Sequence, residues 1–152
     1  MNLPAAYDLG TSDPAARLVA YFEGLTPASV ADMPRFYAPQ ARFKDPFNDV
    51  TGLPAIQKIF NHMFVALDSP RFVVQERIVQ GNQCFLTWEF RFRFRNFKKD
   101  EEQLILGSSH LVFSDAGLVT LHRDYWDAAE ELYEKLPWIG SLMHWLKKRA
   151  NS

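Results

Sequence analysis

The stretch QCFLTWEFRFRF, running on through Arg95-Asn96-Phe97, constrains the fold more than any other part of the chain. Trp88, Phe90, Phe92 and Phe94 alternate with Glu89, Arg91, Arg93 and Arg95. A period of two is the repeat of an extended strand with one apolar and one charged face, and a helix would scatter the same rings around its circumference. Residues 83–97 are therefore expected to form one long strand whose ring-bearing face needs a second layer to cover it.

The neighbouring segments supply both the sheet and that layer. Residues 71–80 alternate weakly, Gly81-Asn82 offers a turn, FKKDEEQ reads as a charged loop, and residues 103–114 and 118–126 read as strands joined by Asp115-Ala116-Gly117. Together they predict an antiparallel meander. Upstream, Asp13-Pro14 is a helix start, with Leu18, Phe22 and Leu25 on one stripe of a helix over 14–24. Thr26-Pro27 opens a short second helix carrying Val30, Met33 and Tyr37, disrupted by Pro34 and Pro39. Leu53-Pro54 opens a third with Ile56, Ile59, Phe60, Met63, Phe64 and Leu67, closed by Pro70. Helical character returns over 127–136, where Asp127 is the expected cap, and WIGSLMHWLKKR forms a basic amphipathic tail. The order is α+β in a single domain, 1–152, with a core of about 13–135 and a helical tail over 136–152.

With 152 residues the chain is long enough to bury a core, and thirteen Phe and four Trp mean that many rings must find cover. The net charge of -1 provides no field for nucleic acid or anionic lipid, and the rings and arginines of 88–95 fall on opposite faces, unlike a base-stacking platform. That charged face is expected to be solvated or to meet a second copy of the chain. The single cysteine, Cys84, excludes an internal disulfide and a thiolate metal cluster, so a reducing, cytoplasmic setting is expected. No run approaches the ~20 apolar residues of a membrane span, and the start lacks the pattern of a secretory signal. His62, His110, His122 and His144 lack metal-ligand spacing, and no phosphate loop or nucleophile elbow is present, so neither metal nor cofactor is expected. The tail is expected to cover a cavity mouth or a dimer seam.

Three short motifs carry chemistry. Lys44-Asp45-Pro46 is followed by Phe47 and, later, by Gly52; Tyr21 sits in LVAYFEGL; and Ser109-His110-Leu111-Val112-Phe113 lies in a predicted strand. With the order of elements, these resemble the nuclear transport factor 2 superfamily over residues 13 to about 135. That resemblance implies a cone, a strongly curved antiparallel sheet wrapped around helices with a deep apolar cavity. The Lys44-Asp45-Pro46 segment is similar to the one that carries the catalytic base of ketosteroid isomerases, which implies that role for Asp45. In the same register Tyr21 falls where those enzymes keep an oxyanion donor, and Ser109 where they keep a protonated aspartic acid. Asp124 and Trp126 fall on pocket-lining positions, with His122 on the same strand face, and polyketide cyclases of the superfamily are similar in placing an acid/base aspartate near Asp124.

The residues alone leave each role open. Asp45 is either a base in a dry pocket or a turn acid before proline, with Asp49 the expected acid of the turn proper. Tyr21 is either an oxyanion donor or a core tyrosine bonded to a backbone carbonyl. Asp124 is either a second acid/base group or the ion-pair partner of Arg123 or His122. His110 is expected on the outside of the sheet. The first functional reading is a cofactor-independent isomerase or cyclase-like lyase that abstracts a proton alpha to a carbonyl of an apolar small molecule. Asp45, Tyr21, Asp124 and Ser109 form its chemical set, and Trp88, Phe90, Trp126, His122 and Phe60 contact the ligand. The second is a non-catalytic ligand-binding or dimerisation module of the same fold. A homodimer through the outer sheet face is expected in either case.

Overall fold

The computed structural model describes residues 13–128 and 130–131. Asp13 caps the first helix, α1 (Pro14–Glu23), by accepting from Ala15 N at 3.0 Å, and Gly24 closes it with a bond to the Ala20 carbonyl. Its apolar stripe buries Ala15, Leu18, Tyr21 and Phe22. A 3-10 turn over Ser29–Arg35 follows, entered through reciprocal bonds between Thr26 and Ser29. Then come β1 (Tyr37–Lys44), β2 (Asp49–Thr51), α2 (Leu53–Ala66), β3 (Leu67–Gln80), β4 (Gln83–Phe94), β5 (Gln103–Phe113) and β6 (Val119–Tyr125).

The six strands form one curved sheet in the order β2-β1-β6-β5-β4-β3. All neighbours are antiparallel except β1 and β6, which run parallel. The long meander expected from the 83–97 alternation is present: Cys84, Leu86, Trp88 and Phe92 of β4 are buried on the inner face. Against that face pack α1, on β3, and α2, on β1 and β3. Phe22, Phe43, Phe60 and Phe72 meet there, with ring centroids 5.8 to 6.4 Å apart.

Four readings of the sequence are corrected. The sheet is mixed, because β1 joins the meander through a parallel pairing with β6. Tyr37 opens β1 instead of ending the second helix, which stops at Arg35. Asp49 belongs to a strand, where Arg42 grips its carboxylate at 2.9 and 2.8 Å, so it is not the turn acid. Pro70 lies within β3, not at the end of α2, which gives way to extended backbone at Leu67. The register slips between Asp68 and Arg71, and a bulge on an edge strand is where proline fits without costing a ladder bond. The helix expected over 127–136 and the tail over 136–152 lie outside the described residues except at their start. There Asp127 receives Glu130 N on its side chain and Glu131 N on its carbonyl, as a cap does. No helix among the described residues is long and apolar enough to cross a membrane.

Candidate functional site

The parallel pairing of β1 with β6 assembles the site. Phe43 lies opposite His122 and Lys44 opposite Arg123, so one further step brings Asp45 beside Asp124. Side chains alternate along a strand, and Phe43 and His122 are buried; Asp45 and Asp124 therefore share their inner face, where the two strands end. Two carboxylates drawn from opposite ends of the chain become neighbours in this way.

Asp45 is also the turn residue. Its Oδ1 accepts from Phe47 N at 2.8 Å, Asn48 N at 2.7 Å and Asn48 Nδ2 at 3.0 Å, while its own N–H donates to the Asn48 carbonyl at 3.0 Å. The alternatives drawn from sequence are thus not exclusive, since a carboxylate pinned by an Asx turn is also aimed at a cleft. Burial pushes the Asp45 carboxyl above its ordinary range, donors from Phe47 and Asn48 oppose this, and the nearby Asp124 charge adds to the rise; the balance is upward.

Asp124 stands at the centre of a buried chain of hydrogen bonds that crosses four strands. Trp88 Nε1 donates to Ser109 Oγ at 2.9 Å, and Ser109 donates onward to Asp124 Oδ1. The same oxygen lies 2.7 Å from His122 Nε2, and His122 Nδ1 lies 2.6 Å from the Tyr37 hydroxyl. Phe43 and Phe22 close over the imidazole, with centroids at 4.8 and 5.4 Å. Asp124 Oδ1 thus carries both bonds, and Oδ2 takes none among the described residues. The Trp88 ring lies so close to Gly107 that only a glycine fits beneath it: a Cβ there would stand 2.3 Å from the indole.

The two carboxylates line an open cleft of about 760 Å³ with Lys44, Pro46, Arg123 and Trp126. Trp126 stands edge-on to Phe47, 5.3 Å between centroids, so the Asp45 turn and the end of β6 form one aromatic wall. Of the residues predicted from sequence, Asp45, Asp124 and Trp126 line this cleft. Ser109, His122 and Trp88 sit behind it, 3, 3 and 6 % exposed, and act on it through Asp124. Phe60 is part of the core against Phe22 and Phe43, and Phe90 stacks on Phe72 at 4.7 Å; neither lines the cleft. Tyr21 is fully buried and donates to the Ser29 carbonyl at 2.8 Å, so its phenol reaches the 3-10 turn and the cleft lies elsewhere. His110 stacks on Phe85 at 4.6 Å and meets Gln83 on the outer face.

Sequence reasoning missed Tyr37 and Asn48. Tyr37, Ala41 and Phe43 are buried while Gln40 and Arg42 are exposed, an alternation that marks β1 but that the prolines at 34 and 39 obscured. Among the described residues no group of three or more His, Cys, Asp or Glu is placed to hold a metal ion.

Comparison with known proteins follows the same lines. Among curated proteins, none matches this chain. Among solved structures, a Catenulispora acidiphila protein with a ketosteroid isomerase-like fold, in complex with trimethylamine, superposes with a TM-score of 0.67 at 12% identity, over 81% of this chain and 92% of that one. An epoxide hydrolase from M. tuberculosis, described as LEH-like, gives 0.67 at 12% identity over 89% and 98%. A Shewanella putrefaciens protein provisionally assigned as a SnoaL-like polyketide cyclase gives 0.66 at 16% identity over 82% and 99%. At these identities the likeness is one of fold. The profile of the SnoaL-like domain matches residues 18–122, and the chain therefore belongs to that family, within the nuclear transport factor 2-like superfamily.

Proposed function

We propose that this protein is a cofactor-independent isomerase or cyclase-like enzyme that moves a proton at the carbon alpha to a carbonyl of an apolar small molecule. The observation that carries this reading is the pair Asp45 and Asp124, side by side on one wall of the cleft beneath Trp126. Enolisation needs a base with a free lone pair and a donor where oxygen charge develops. Asp124 Oδ2 fits the first role, because Oδ1 is held by Ser109 and His122 and its geometry is set before any ligand arrives. Asp45 fits the second in its protonated form, which burial and the Asp124 charge favour. Ser109 serves by holding Asp124, and Tyr21 contributes packing beneath the 3-10 turn. Fold neighbours described as an epoxide hydrolase and, provisionally, as a polyketide cyclase support a catalytic use of the fold.

The test is hydrogen–deuterium exchange alpha to the carbonyl across a panel of small apolar ketones and β-diketones, followed by 1H NMR. Exchange catalysed by the wild type and reduced about 10²-fold or more in Asp124→Asn is the expected result. Exchange in Asp124→Asn as fast as in the wild type sinks the assignment. A second reading, a non-catalytic ligand-binding module, draws on the rings of Phe22, Phe43, Phe60 and Phe72 that pack on one another over the inner face. Saturable binding of an apolar ligand without any exchange favours it. In both readings the exposed Ile78, Phe85, Leu106 and Tyr125 of the outer face support a homodimer, which sedimentation checks.

A further inference from the structure

Behind the cleft, Tyr37 and His122 are 85 residues apart in sequence, and the Tyr37 hydroxyl meets His122 Nδ1 at 2.6 Å. Resting on the reading of Asp124 as the base, we propose that Tyr37 is a positioning residue: its hydroxyl donates to His122 Nδ1 and thereby locks the imidazole as the neutral tautomer whose Nε2–H points at Asp124 Oδ1.

A neutral imidazole has one N–H and one lone pair, and a carboxylate only accepts. With Asp124 on Nε2, that nitrogen must carry the hydrogen, and Nδ1 is left as the acceptor that a phenol can serve. Tyr37 is completely buried, and its hydroxyl meets His122 alone among the described residues. Burial, with the charge of Asp124 and the neighbouring Tyr21, holds the phenol well above its ordinary value, so it keeps its hydrogen to donate. Among the described residues the groups packed on the ring are otherwise uncharged: Phe22 from α1, Phe43 from β1, and Leu111 opposite it on β5.

The consequence falls on Asp124. A neutral, donating His122 holds Oδ1 without taking its proton, and the proton taken from a ligand goes to Oδ2. A doubly protonated His122 would instead pair with Asp124 as an ion and compete for the same carboxylate. The hydroxyl of Tyr37 selects between these states: imidazolium would turn it into an acceptor and leave its own buried hydrogen without a partner among the described residues.

The experiment is 15N–1H NMR of the ligand-free full chain labelled at histidine, wild type and Tyr37→Phe, at neutral pH. The wild type is expected to show His122 with an unprotonated Nδ1 and a protonated Nε2; Tyr37→Phe is expected to show Nδ1 protonated as well, the imidazolium that pairs with Asp124. A wild-type His122 protonated at Nδ1 overturns the proposal, and so does an unchanged signature in a folded Tyr37→Phe. Should that variant not fold, the wild-type spectrum still decides, through the state of Nδ1. Because no substrate is present, this outcome is independent of the exchange assay: failure there removes the enzymatic reading and leaves the tautomer measured.

Discussion

His122 Nε2 and Asp124 Oδ1 lie 2.7 Å apart, two residues along the same face of β6, and both side chains are almost entirely removed from water, 4 and 14 % exposed. Their contact, with the Ser109 bond to the same oxygen, makes the carboxylate the keystone of a buried polar chain. Asp124→Ala strands the Ser109 hydroxyl and the His122 nitrogen, and each buried group left without its partner costs about 1–3 kcal/mol. The expected loss for the two groups is therefore about 2–6 kcal/mol in urea unfolding. A loss smaller than the effect of an ordinary surface substitution, about 0.5 kcal/mol, would show that the chain contributes little to the fold.

Gly107 is required by its neighbour more than by its own backbone. An alanine there meets the Trp88 ring at 2.3 Å, and the ring cannot swing away freely, since it is buried and its Nε1 is committed to Ser109. Overpacking of this kind costs about 1–3 kcal/mol, and Gly107→Ala is expected to fall in that range with a change in tryptophan fluorescence. Trp88→Phe in the same chain should recover part of the loss; an additive double variant speaks against the clash.

The raised proton affinity of Asp45 has a sign that stability measurements read directly. A carboxyl that binds its proton more tightly when folded favours the fold in its protonated state. Its contribution is present below the ordinary aspartate value of about 3.9 and is lost as pH rises through the higher folded value. Relative to Asp45→Asn, which keeps a turn acceptor but cannot ionise, the wild type should lose stability on going from acid to neutral pH. A difference that stays flat, or grows in favour of the wild type, contradicts the upward shift.

Tyr21 offers a clean division between a structural hydroxyl and a catalytic one. Its bond to the Ser29 carbonyl is worth about 1 kcal/mol, and Tyr21→Phe should cost that in stability while leaving alpha-proton exchange near the wild-type rate. A fall of about 10²-fold in exchange with little loss of stability would return Tyr21 to the oxyanion role implied by the family likeness.

Much of the architecture was legible because it is written in local periods. The alternation of 88–95 and the caps at Asp13 and Asp127 were each read from residues a few positions apart, and the strands and helix starts they mark are present. The readings that failed sit where two local signals compete. Pro39 and Pro70 look like breakers, but one is exposed within β1 and the other lies at an edge-strand bulge, so neither interrupts its strand. Asp45 and Asp49 were both plausible turn acids, and Arg42, opposite Thr51 in the β1–β2 ladder, drew Asp49 into the strand pair instead.

By itself, then, the sequence determined which faces are apolar and where most strands and helices begin, and it offered Asp45, Tyr21, Asp124 and Ser109 as chemical candidates, with His122 on the same strand face as Asp124. Only the tertiary structure decided who touches whom. The parallel pairing of β1 with β6 sets Phe43 against His122, Tyr37 within 2.6 Å of the same ring, and Asp45 next to Asp124. The physical reason is that side-chain alternation is a property of one strand, whereas pairing is a contact between segments far apart in sequence. Which strands adjoin is settled by how the whole apolar surface can be buried at once.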